Sequence, residues 1–285
     1  MKEVMRKFLP GSEWLYIKFY TGIKTADLIL EEAVKPLLKE LQAKDLIEKW
    51  FFIRYSDPKP HLRIRFEISH LDSFEEVFSL VKDYLQEYLN SGEISDFILD
   101  TYRREIERYG ETTIQDAEFL FWKNSECTLY DYLHFDDEEK IIMSLYYIDQ
   151  LLDHLGLSVP EKLEWIKESN LAFKQEFNAD KILTSQLNKK YLLIIPKYYE
   201  FIESDDFSIH RENTINSITD SAEVIKNIQN RYAGTLKSFF QSIFHMNINR
   251  IFVSQQRLFE MIIYDYLFRY YKTLAFKGVS RFRSL

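Results

Sequence analysis

The stretch FFIRYSDPKPHLRIRFEIS (residues 51–69) alternates basic and apolar residues on either side of a turn that contains two prolines. Successive side chains of a β-strand point to opposite faces. The second half therefore predicts a strand with His61, Arg63 and Arg65 on one face and apolar residues on the other. Proline cannot lie in a central strand, so DPKP is expected to be the turn of a hairpin that brings Arg54 close to this basic face.

The neighbouring segments extend this hairpin into an α+β unit. Alternation in EWLYIKFYTG (13–22) predicts a strand, and helical spacing predicts helices at 26–45 and 73–92. Pro36 is expected to kink the first helix or to mark a new start. We interpret ISDFILDTYRREIERYG (94–110) as extended. The order strand, helix, strand, strand, helix, strand is that of a ferredoxin-like split βαβ sheet with helices on one face.

The second half of the chain has a different character, because successive segments show the spacing of amphipathic helices. The polar region 209–230 predicts a long exposed helix, and one or two long apolar helices close the chain. We predict a single domain over residues 1–285. Within it, an α+β part spans residues 1–111 and a mostly α-helical part spans residues 112–285.

Composition narrows the class of protein. The 285 residues are 46% hydrophobic and 16% aromatic, which is typical of a folded globular chain. A formal net charge of -8 argues against nucleic acid as a direct partner, because phosphate-binding surfaces carry a basic excess. A single cysteine, Cys127, excludes an internal disulfide and a cysteine-based zinc site. No apolar run is long enough for a membrane span or a signal peptide, so a cytoplasmic protein is expected.

The basic face of the hairpin has two readings. Arginines on a sheet face are usually solvated or paired with surface carboxylates, and such pairs contribute little. Alternatively, Arg63 and Arg65, with His61 and Arg54 nearby, form a clamp for a carboxylate or phosphate, since guanidinium forks bind these groups bidentately. The residues of the hairpin leave both readings open.

Two later stretches carry further candidates. In TYRREIERYG, Arg104 and Arg108 would share one face of an extended chain and could add to the same basic cleft. In SIFHMNINRIF, His245 and Asn249 are four residues apart and share a helix face, with Arg250 slightly off it. A histidine in such an apolar setting is more often a core residue, but it is also the usual acid or base for proton transfer.

Several common cofactor motifs are absent from the sequence. It contains no GxGxxG, GxxxxGK[ST], HExxH or GxSxG, and no cysteine–histidine cluster. Dinucleotide, nucleotide triphosphate, zinc-peptidase and α/β-hydrolase readings therefore lose their support. A cofactor-free site is the default expectation.

Three ordered stretches resemble one family. WFFIRYSDPKPHLRIRF, EIERYGETTIQDAEFLFWKNSE and FHMNINRIF resemble motifs of the C-terminal elimination domain of lantibiotic dehydratases, also found as the thiopeptide-type bacteriocin biosynthesis domain. Each motif alone is weak, whereas the ordered set is specific and covers essentially the whole chain. One departure is visible, because RYGE stands where the family has RYGG. If that second glycine provides a positive φ, the turn at Glu111 must differ.

The resemblance implies a reaction of peptide antibiotic biosynthesis. In this family a partner activity uses glutamyl-tRNA to esterify serine or threonine side chains of a ribosomally made precursor peptide. The elimination domain then removes the α-proton and expels glutamate, leaving dehydroalanine or dehydrobutyrine. The chain is thus expected to be a stand-alone, cofactor-free lyase that needs a separate tRNA-dependent glutamylation protein. The oligomeric state stays open, with a homodimer as one alternative.

Site residues are carried over by motif. The family's paired arginines match Arg63 and Arg65, the arginine of RYGG matches Arg108, and the histidine of its HM-x-x-NR motif matches His245; Arg104 competes with Arg108. The expected catalytic set is Arg63, Arg65, Arg108 and His245. The expected substrate-binding set is Arg54, His61, Arg104, Asn249 and Arg250.

Two other functions remain as alternatives. A pyridine-forming [4+2] cycloaddition enzyme of thiopeptide biosynthesis resembles the same domain but joins two dehydroalanines. A non-catalytic scaffold of a modification complex would use the many aromatic residues as a partner surface. We favour elimination, because the arginine and histidine motifs are all present.

Overall fold

The structure is a computed structural model that describes the backbone of residues 4–282 and the side chains of residues 4–276. The chain forms two compact units, one made of residues 1–133 and 221–254, the other of 134–220 and 255–285. The expected boundary at residue 111 does not coincide with this division, because the helices after it pack against the sheet. The assignment of a single domain stays a prediction.

The first unit contains two antiparallel sheets. The strands are β1 Lys7–Phe8, β2 Trp14–Thr21, β3 Ile47–Tyr55, β4 His61–Ile68, β5 Ile94–Leu99 and β6 Tyr102–Arg103. The larger sheet has the order β3-β4-β2-β5, and β1 pairs with β6. The α+β class and the predicted hairpin of β3 and β4 are confirmed, with a cis peptide bond between Asp57 and Pro58 in the turn. The ferredoxin-like interpretation of this order stays a prediction.

Helices account for most of the remaining chain. They are α1 Ile23–Ile29, α2 Lys35–Ala43, α3 Phe74–Asn90, α4 Ile106–Tyr109, α5 Ile114–Cys127, α6 Asp137–His154, α7 Val159–Glu176, α8 Lys181–Glu203, α9 Ser208–Asp220, α10 Ala222–Arg231, α11 Leu236–Ile251 and α12 Gln256–Phe282. Short π-helical segments at Leu30–Val34 and Thr128–Tyr132 and 3₁₀ segments at Leu71–Ser73 and Asp205–Phe207 join some of them. In the described residues, no helix is both long and apolar enough to cross a membrane.

Pro36 divides the first helical region, as the sequence predicts. It lies in the first turn of α2, directly after the π-helical segment Leu30–Val34. The helical backbone runs on from the π-helical segment into α2, because Val34 and Lys35 both have αR dihedrals, so Pro36 marks a change in hydrogen-bond pattern within one continuous helical region.

Two predicted elements are wrong in part. The segment 94–110 is extended only as far as Arg103, and α4 follows after Glu105. The polar region 209–230 is two helices rather than one, because the chain turns at Ser221, which is buried. The region 209–230 is also less exposed than expected, since Ile225 and Ile228 on α10 are buried.

The main core of the first unit lies between one face of the sheet and the helices α1 to α3. The apolar residues that alternate along β4 all face this core, as the sequence predicts. Burial of each such side chain stabilises the fold by about 1.5–3 kcal/mol. The central members from strands and helices are Leu15, Ile17, Phe19, Leu37, Leu41, Leu62, Ile64, Phe66, Val77, Val81 and Leu85.

Candidate functional site

The opposite face of β4 carries the basic residues. His61, Arg63 and Arg65 alternate with the core residues and point away from them. The flanking strands add aromatic and basic neighbours on this face, as expected for directly paired residues in an antiparallel sheet. In register with the three residues are Tyr20, Lys18 and Tyr16 on β2 and Tyr55, Ile53 and Phe51 on β3.

Arg65 lies among three aromatic rings. Its guanidinium carbon is 4.3 Å from the ring centroid of Tyr16, 4.9 Å from that of Tyr102 and 5.1 Å from that of Phe51. Such contacts stabilise a cation by its attraction to the ring faces. The Nε atom of Arg65 is buried and has no hydrogen-bond partner among the described residues. An unsatisfied buried donor costs about 1–3 kcal/mol, so this position favours an anionic ligand that could accept from it.

Arg63 is the neighbouring cation on β4 and is half-buried. Its guanidinium carbon lies 3.7 Å from the ring centroid of Tyr55, and its Nε donates to His61 Nε2 at 2.9 Å. Lys18 is its register partner on β2 and forms an ion pair with Asp100. Because Asp100 balances the charge of Lys18, the excess positive charge on this patch of the sheet comes from Arg63 and Arg65.

Arg104 has a structural role in place of the predicted substrate contact. Its Nε and one Nη donate to the two carboxylate oxygens of Glu118, each at 2.7 Å, and both side chains are almost fully buried. The Tyr102 hydroxyl donates to the same carboxylate at 2.7 Å. Burial, followed by the charge of Glu118, raises the pKa of Tyr102 well above its usual value, so the hydroxyl stays a donor. This network holds the Tyr102 ring beside Arg65.

Arg108 lies on α4 rather than on a strand, so the predicted shared face with Arg104 is wrong. It is about half exposed and pairs with Glu105 at 3.3 Å. The adjacent Tyr109 is buried, and burial raises its pKa, while the guanidinium groups of Arg108 and Arg250 act in the opposite direction. The Tyr109 ring lies 5.5 Å from that of Phe239, which links the ERYG segment to α11.

Arg250 anchors α11 to the open edge of β3. It is fully buried, and its Nε donates to the carbonyl oxygen of Phe52 at 2.8 Å. The carbonyl oxygen of Arg250 accepts from Arg54 Nε at 2.7 Å, and Arg54 forms an ion pair with Asp27 at 2.6 Å. We assign Arg54 and Arg250 to this structural contact in place of substrate binding. The Phe52 N–H donates to Ser125 Oγ at 3.2 Å, so α5 protects the same edge.

His245 and Asn249 lie one turn apart on α11, as predicted, and both are half-buried. The amide nitrogen of Asn249 is 3.0 Å from Nε2 of His245. This hydrogen bond fixes the orientation of the imidazole ring. A fixed ring at the helix that docks on β3 is suited to proton transfer.

The ring of Phe121 on α5 joins the three motifs. Its centroid is 5.3 Å from that of Phe51 and 5.2 Å from that of Tyr109, and the guanidinium carbon of Arg250 lies 5.1 Å away. Phe51 in turn contacts Arg65. The hairpin, the ERYG segment and the FHMNINR helix therefore pack around one aromatic cluster within the first unit.

Glu111, which stands where the family has its second glycine, is not the residue of this turn that needs a positive φ. The positive φ of +76° belongs to Gly110, and Glu111 has no positive φ. With ψ of 150°, Gly110 occupies a region that is essentially restricted to glycine. A Cβ at this position would lie 2.9 Å from Thr113 Oγ1 and 3.2 Å from Tyr232 Cδ2.

Gly110→Ala should therefore lower the free energy of unfolding by about 1–3 kcal/mol, through backbone strain and these contacts. Gly92→Ala is a matched control, because Gly92 also has a positive φ of +83° but a Cβ there would meet nothing within 4 Å. Urea denaturation of both variants and of Glu111→Gly measures the difference. A larger loss for Gly92→Ala or Glu111→Gly than for Gly110→Ala would contradict this account.

Several residues that surround the basic face of β4 were not predicted from the sequence. The alternation of Tyr16, Lys18 and Tyr20 in EWLYIKFYTG is the signal that could have placed them beside β4. No comparable signal marks Tyr102 or Phe121. Within the described side chains, no group of three or more histidine, cysteine, aspartate or glutamate residues is arranged to hold a metal ion.

Comparison with known proteins identifies the family. A family model described as the C-terminal region of lantibiotic biosynthesis dehydratases matches residues 14–271, which include all three motifs. The chain belongs to this family. This confirms the resemblance that the motifs predict.

Individual lantibiotic dehydratase relatives are distant and longer. The subtilin biosynthesis protein SpaB of Bacillus subtilis is 24% identical over 274 residues, covering 90% of this chain and 25% of that protein. The tRNA-dependent lantibiotic dehydratase MibB of Microbispora sp. 107891 has a similar fold, with a TM-score of 0.69 at 18% identity, over 90% of this chain and 28% of that one. The chain thus spans about a quarter of the curated relative's length.

A shorter fold neighbour comes from another pathway. TbtD, the pyridine synthase of thiomuracin biosynthesis, has a TM-score of 0.57 at 12% identity. The match covers 92% of this chain and all of that one. The same fold therefore occurs in a protein with a different named reaction.

Proposed function

We propose that the chain removes glutamate from glutamylated serine or threonine residues of a ribosomally made precursor peptide, giving dehydroalanine or dehydrobutyrine. The observation that carries this proposal is the environment of Arg65. Its guanidinium lies among three aromatic rings beside Arg63, and its buried Nε has no hydrogen-bond partner among the described residues. Membership of the lantibiotic dehydratase family supports the same reaction. A glutamyl ester provides carboxylate groups that such cations bind.

The proposed step is a β-elimination. A base takes the α-proton of the esterified residue, the C–H electron pair forms the Cα=Cβ bond, and the Cβ–O bond breaks. Glutamate leaves as a carboxylate with the electron pair of the Cβ–O bond. Arg63 and Arg65 would stabilise the negative charge on the peptide carbonyl and the leaving group, and Arg108 would bind the glutamate carboxylate. His245 is the proposed base: with the Asn249 amide turned so that its oxygen accepts from Nε2–H, Nδ1 carries the lone pair that takes the α-proton.

The proposed context follows from the same chemistry. The substrate is a precursor peptide already glutamylated by a separate tRNA-dependent protein, and the reaction takes place in the cytoplasm. The proposed activity is that of a lyase without a cofactor.

The direct test uses a synthetic peptide that carries one glutamyl ester on serine. Wild-type protein should convert it to the dehydroalanine peptide, detected by mass spectrometry as loss of glutamate. His245→Ala should lower kcat about 10²–10⁴-fold, the usual contribution of a general base. His154→Ala, an exposed histidine at the end of α6, is the control and should leave the rate unchanged. A wild-type protein that leaves the ester intact would refute the proposal.

The fold similarity to TbtD favours pyridine formation as the second candidate. That reaction would join two dehydroalanines of one peptide. Incubation with a bis-dehydroalanine peptide separates the candidates, because elimination leaves this substrate unchanged whereas a cycloaddition enzyme forms a ring.

The third candidate is a non-catalytic scaffold, and the same assay distinguishes it. In that case Arg63→Ala, Arg65→Ala, Arg108→Ala and His245→Ala would all leave product formation intact. Deletion of the whole protein would still abolish it.

A further inference from the structure

The ring of His61 is held in one orientation and one tautomer. It is buried, with the centroids of Tyr20 at 4.7 Å and Tyr55 at 5.5 Å. Its Nδ1 lies 2.8 Å from the carbonyl oxygen of Lys59. A carbonyl oxygen can only accept, so the ring proton lies on Nδ1 and the lone pair of Nε2 is free to accept from Arg63.

This lone pair determines how Arg63 is presented. The Nε–H of Arg63 donates to it at 2.9 Å, and the Tyr55 ring lies against the guanidinium plane at 3.7 Å. Together these contacts fix both the position and the rotation of the planar group. In the described part of the chain, the hydrogen bonds of Arg63 use Nε alone, so both Nη groups remain available to a ligand.

We propose that His61 is a positioning residue for the elimination reaction: its neutral ring holds Arg63 so that the Nη groups bind a carboxylate of the glutamyl ester, and protonation of the ring ends this hold. The proposal rests on the proposed function for its substrate. It replaces the predicted direct contact of His61 with substrate. The group that touches substrate is Arg63, and His61 acts through it.

The charges around His61 favour the neutral ring. Arg63 and Lys18 oppose a second positive charge, whereas Asp57 and the Lys59 carbonyl favour it. His61 and Arg54 line one small cavity, and the charge of Arg54 is paired with Asp27. Tyr20 and Tyr55 contribute uncharged rings.

Burial is the largest influence and lowers the pKa of His61 below its usual 6.5. The ring is therefore neutral at pH 7. In the folded protein it takes up a proton only when the pH falls through this lowered pKa. An imidazolium then faces a guanidinium, and the acceptor for Arg63 Nε is lost.

Two variants separate the hydrogen bond from the shape of the ring. His61→Gln keeps an acceptor near the position of Nε2, and His61→Phe keeps a ring without one. With the synthetic glutamyl-serine peptide, His61→Phe should lower kcat/KM about tenfold or more, because a misplaced binding group weakens transition-state contacts. His61→Gln should keep most of the activity, because its side-chain oxygen can accept from Arg63 Nε in place of the imidazole nitrogen.

A second readout does not depend on activity. In protein labelled with ¹⁵N-arginine, the Nε–H signal of Arg63, assigned with Arg63→Lys, should be protected from exchange in the wild type and in His61→Gln. It should be lost in His61→Phe, and in the wild type at acid pH. His70→Phe, at an exposed histidine just after β4, is the control and should retain the signal.

The outcomes distinguish this inference from the proposed function. A protected Arg63 signal in a folded His61→Phe, or a loss of activity in His61→Gln equal to that in His61→Phe, overturns the positioning role. Failure of the wild type to eliminate glutamate refutes the proposed function, and the NMR experiment still decides whether His61 holds Arg63.

Discussion

Arg65→Met is expected to lower kcat/KM for glutamate elimination about 10²–10³-fold, the usual loss when one preorganised donor to a developing negative charge is removed. Methionine retains a long unbranched side chain that can fill the space among Tyr16, Phe51 and Tyr102. The loss should therefore fall on the reaction rather than on folding. The measurement is the rate of glutamate release from the synthetic peptide, followed by mass spectrometry.

The variant Arg65→Lys separates the effect of the charge from that of the guanidinium geometry. Lysine retains the charge but not the planar fork that contacts three rings and can bind a carboxylate bidentately. We expect a loss smaller than that of Arg65→Met but clearly measurable. Arg103→Met removes an exposed arginine from β6 and should have no effect. Equal rates for the wild type and Arg65→Met would remove the central residue of the proposed mechanism.

Arg104→Met is expected to lower the free energy of unfolding by about 3–5 kcal/mol, because it leaves the carboxylate of Glu118 buried without its partner. Both side chains are buried, and the two bonds between them are 2.7 Å long. Tyr102 would remain as a neutral donor and could not compensate the charge. Guanidinium or urea denaturation measures this loss.

Replacing both partners tests the cause of this effect. The double variant Arg104→Met with Glu118→Leu removes the uncompensated charge and should recover most of the lost stability. Arg6→Met breaks an exposed ion pair with Glu107 and should cost no more than about 1 kcal/mol. A loss of that small size for Arg104→Met would show that the buried pair contributes little.

The hairpin was predictable because its determinants are local. Alternation along 61–68 gives the two faces of β4, and the prolines of DPKP limit the turn, so the strand bounds and the position of Arg63 on the face opposite the core followed directly. The helix start near residue 74 followed from periodicity, and the division of the 26–45 region followed from Pro36. Motif order gave the family.

The assignment of roles among the arginines was less predictable. Whether an arginine faces a ligand or an internal carboxylate depends on residues far away in sequence. Glu118 neutralises Arg104, and the carbonyl of Phe52 accepts from Arg250 across almost two hundred residues of sequence. Nothing in TYRREIERYG or FHMNINRIF encodes those partners.

The end of the 94–110 segment shows the limit of propensity. Aromatic and branched residues favour a strand there, but Arg104 N–H bonds to the carbonyl of Arg6 and the chain then turns into the short helix α4. Similarly, the sequence marked Glu111 as the unusual position, whereas the strained backbone is at the retained Gly110. Tertiary contacts decided both.

The two bonds that Ser125 and Arg250 make to the backbone of Phe52 bear on strand register. A shift of β4 by one residue against β3 would exchange its two faces and carry Arg63 and Arg65 into the apolar core. Helices α5 and α11 hold the N–H and the carbonyl of the same residue of β3, at 3.2 Å and 2.8 Å. These bonds fix β3 against α5 and α11, so a shift of β3 would break contacts with elements distant in sequence, whereas the register of β4 on β3 depends on the burial of its own apolar face.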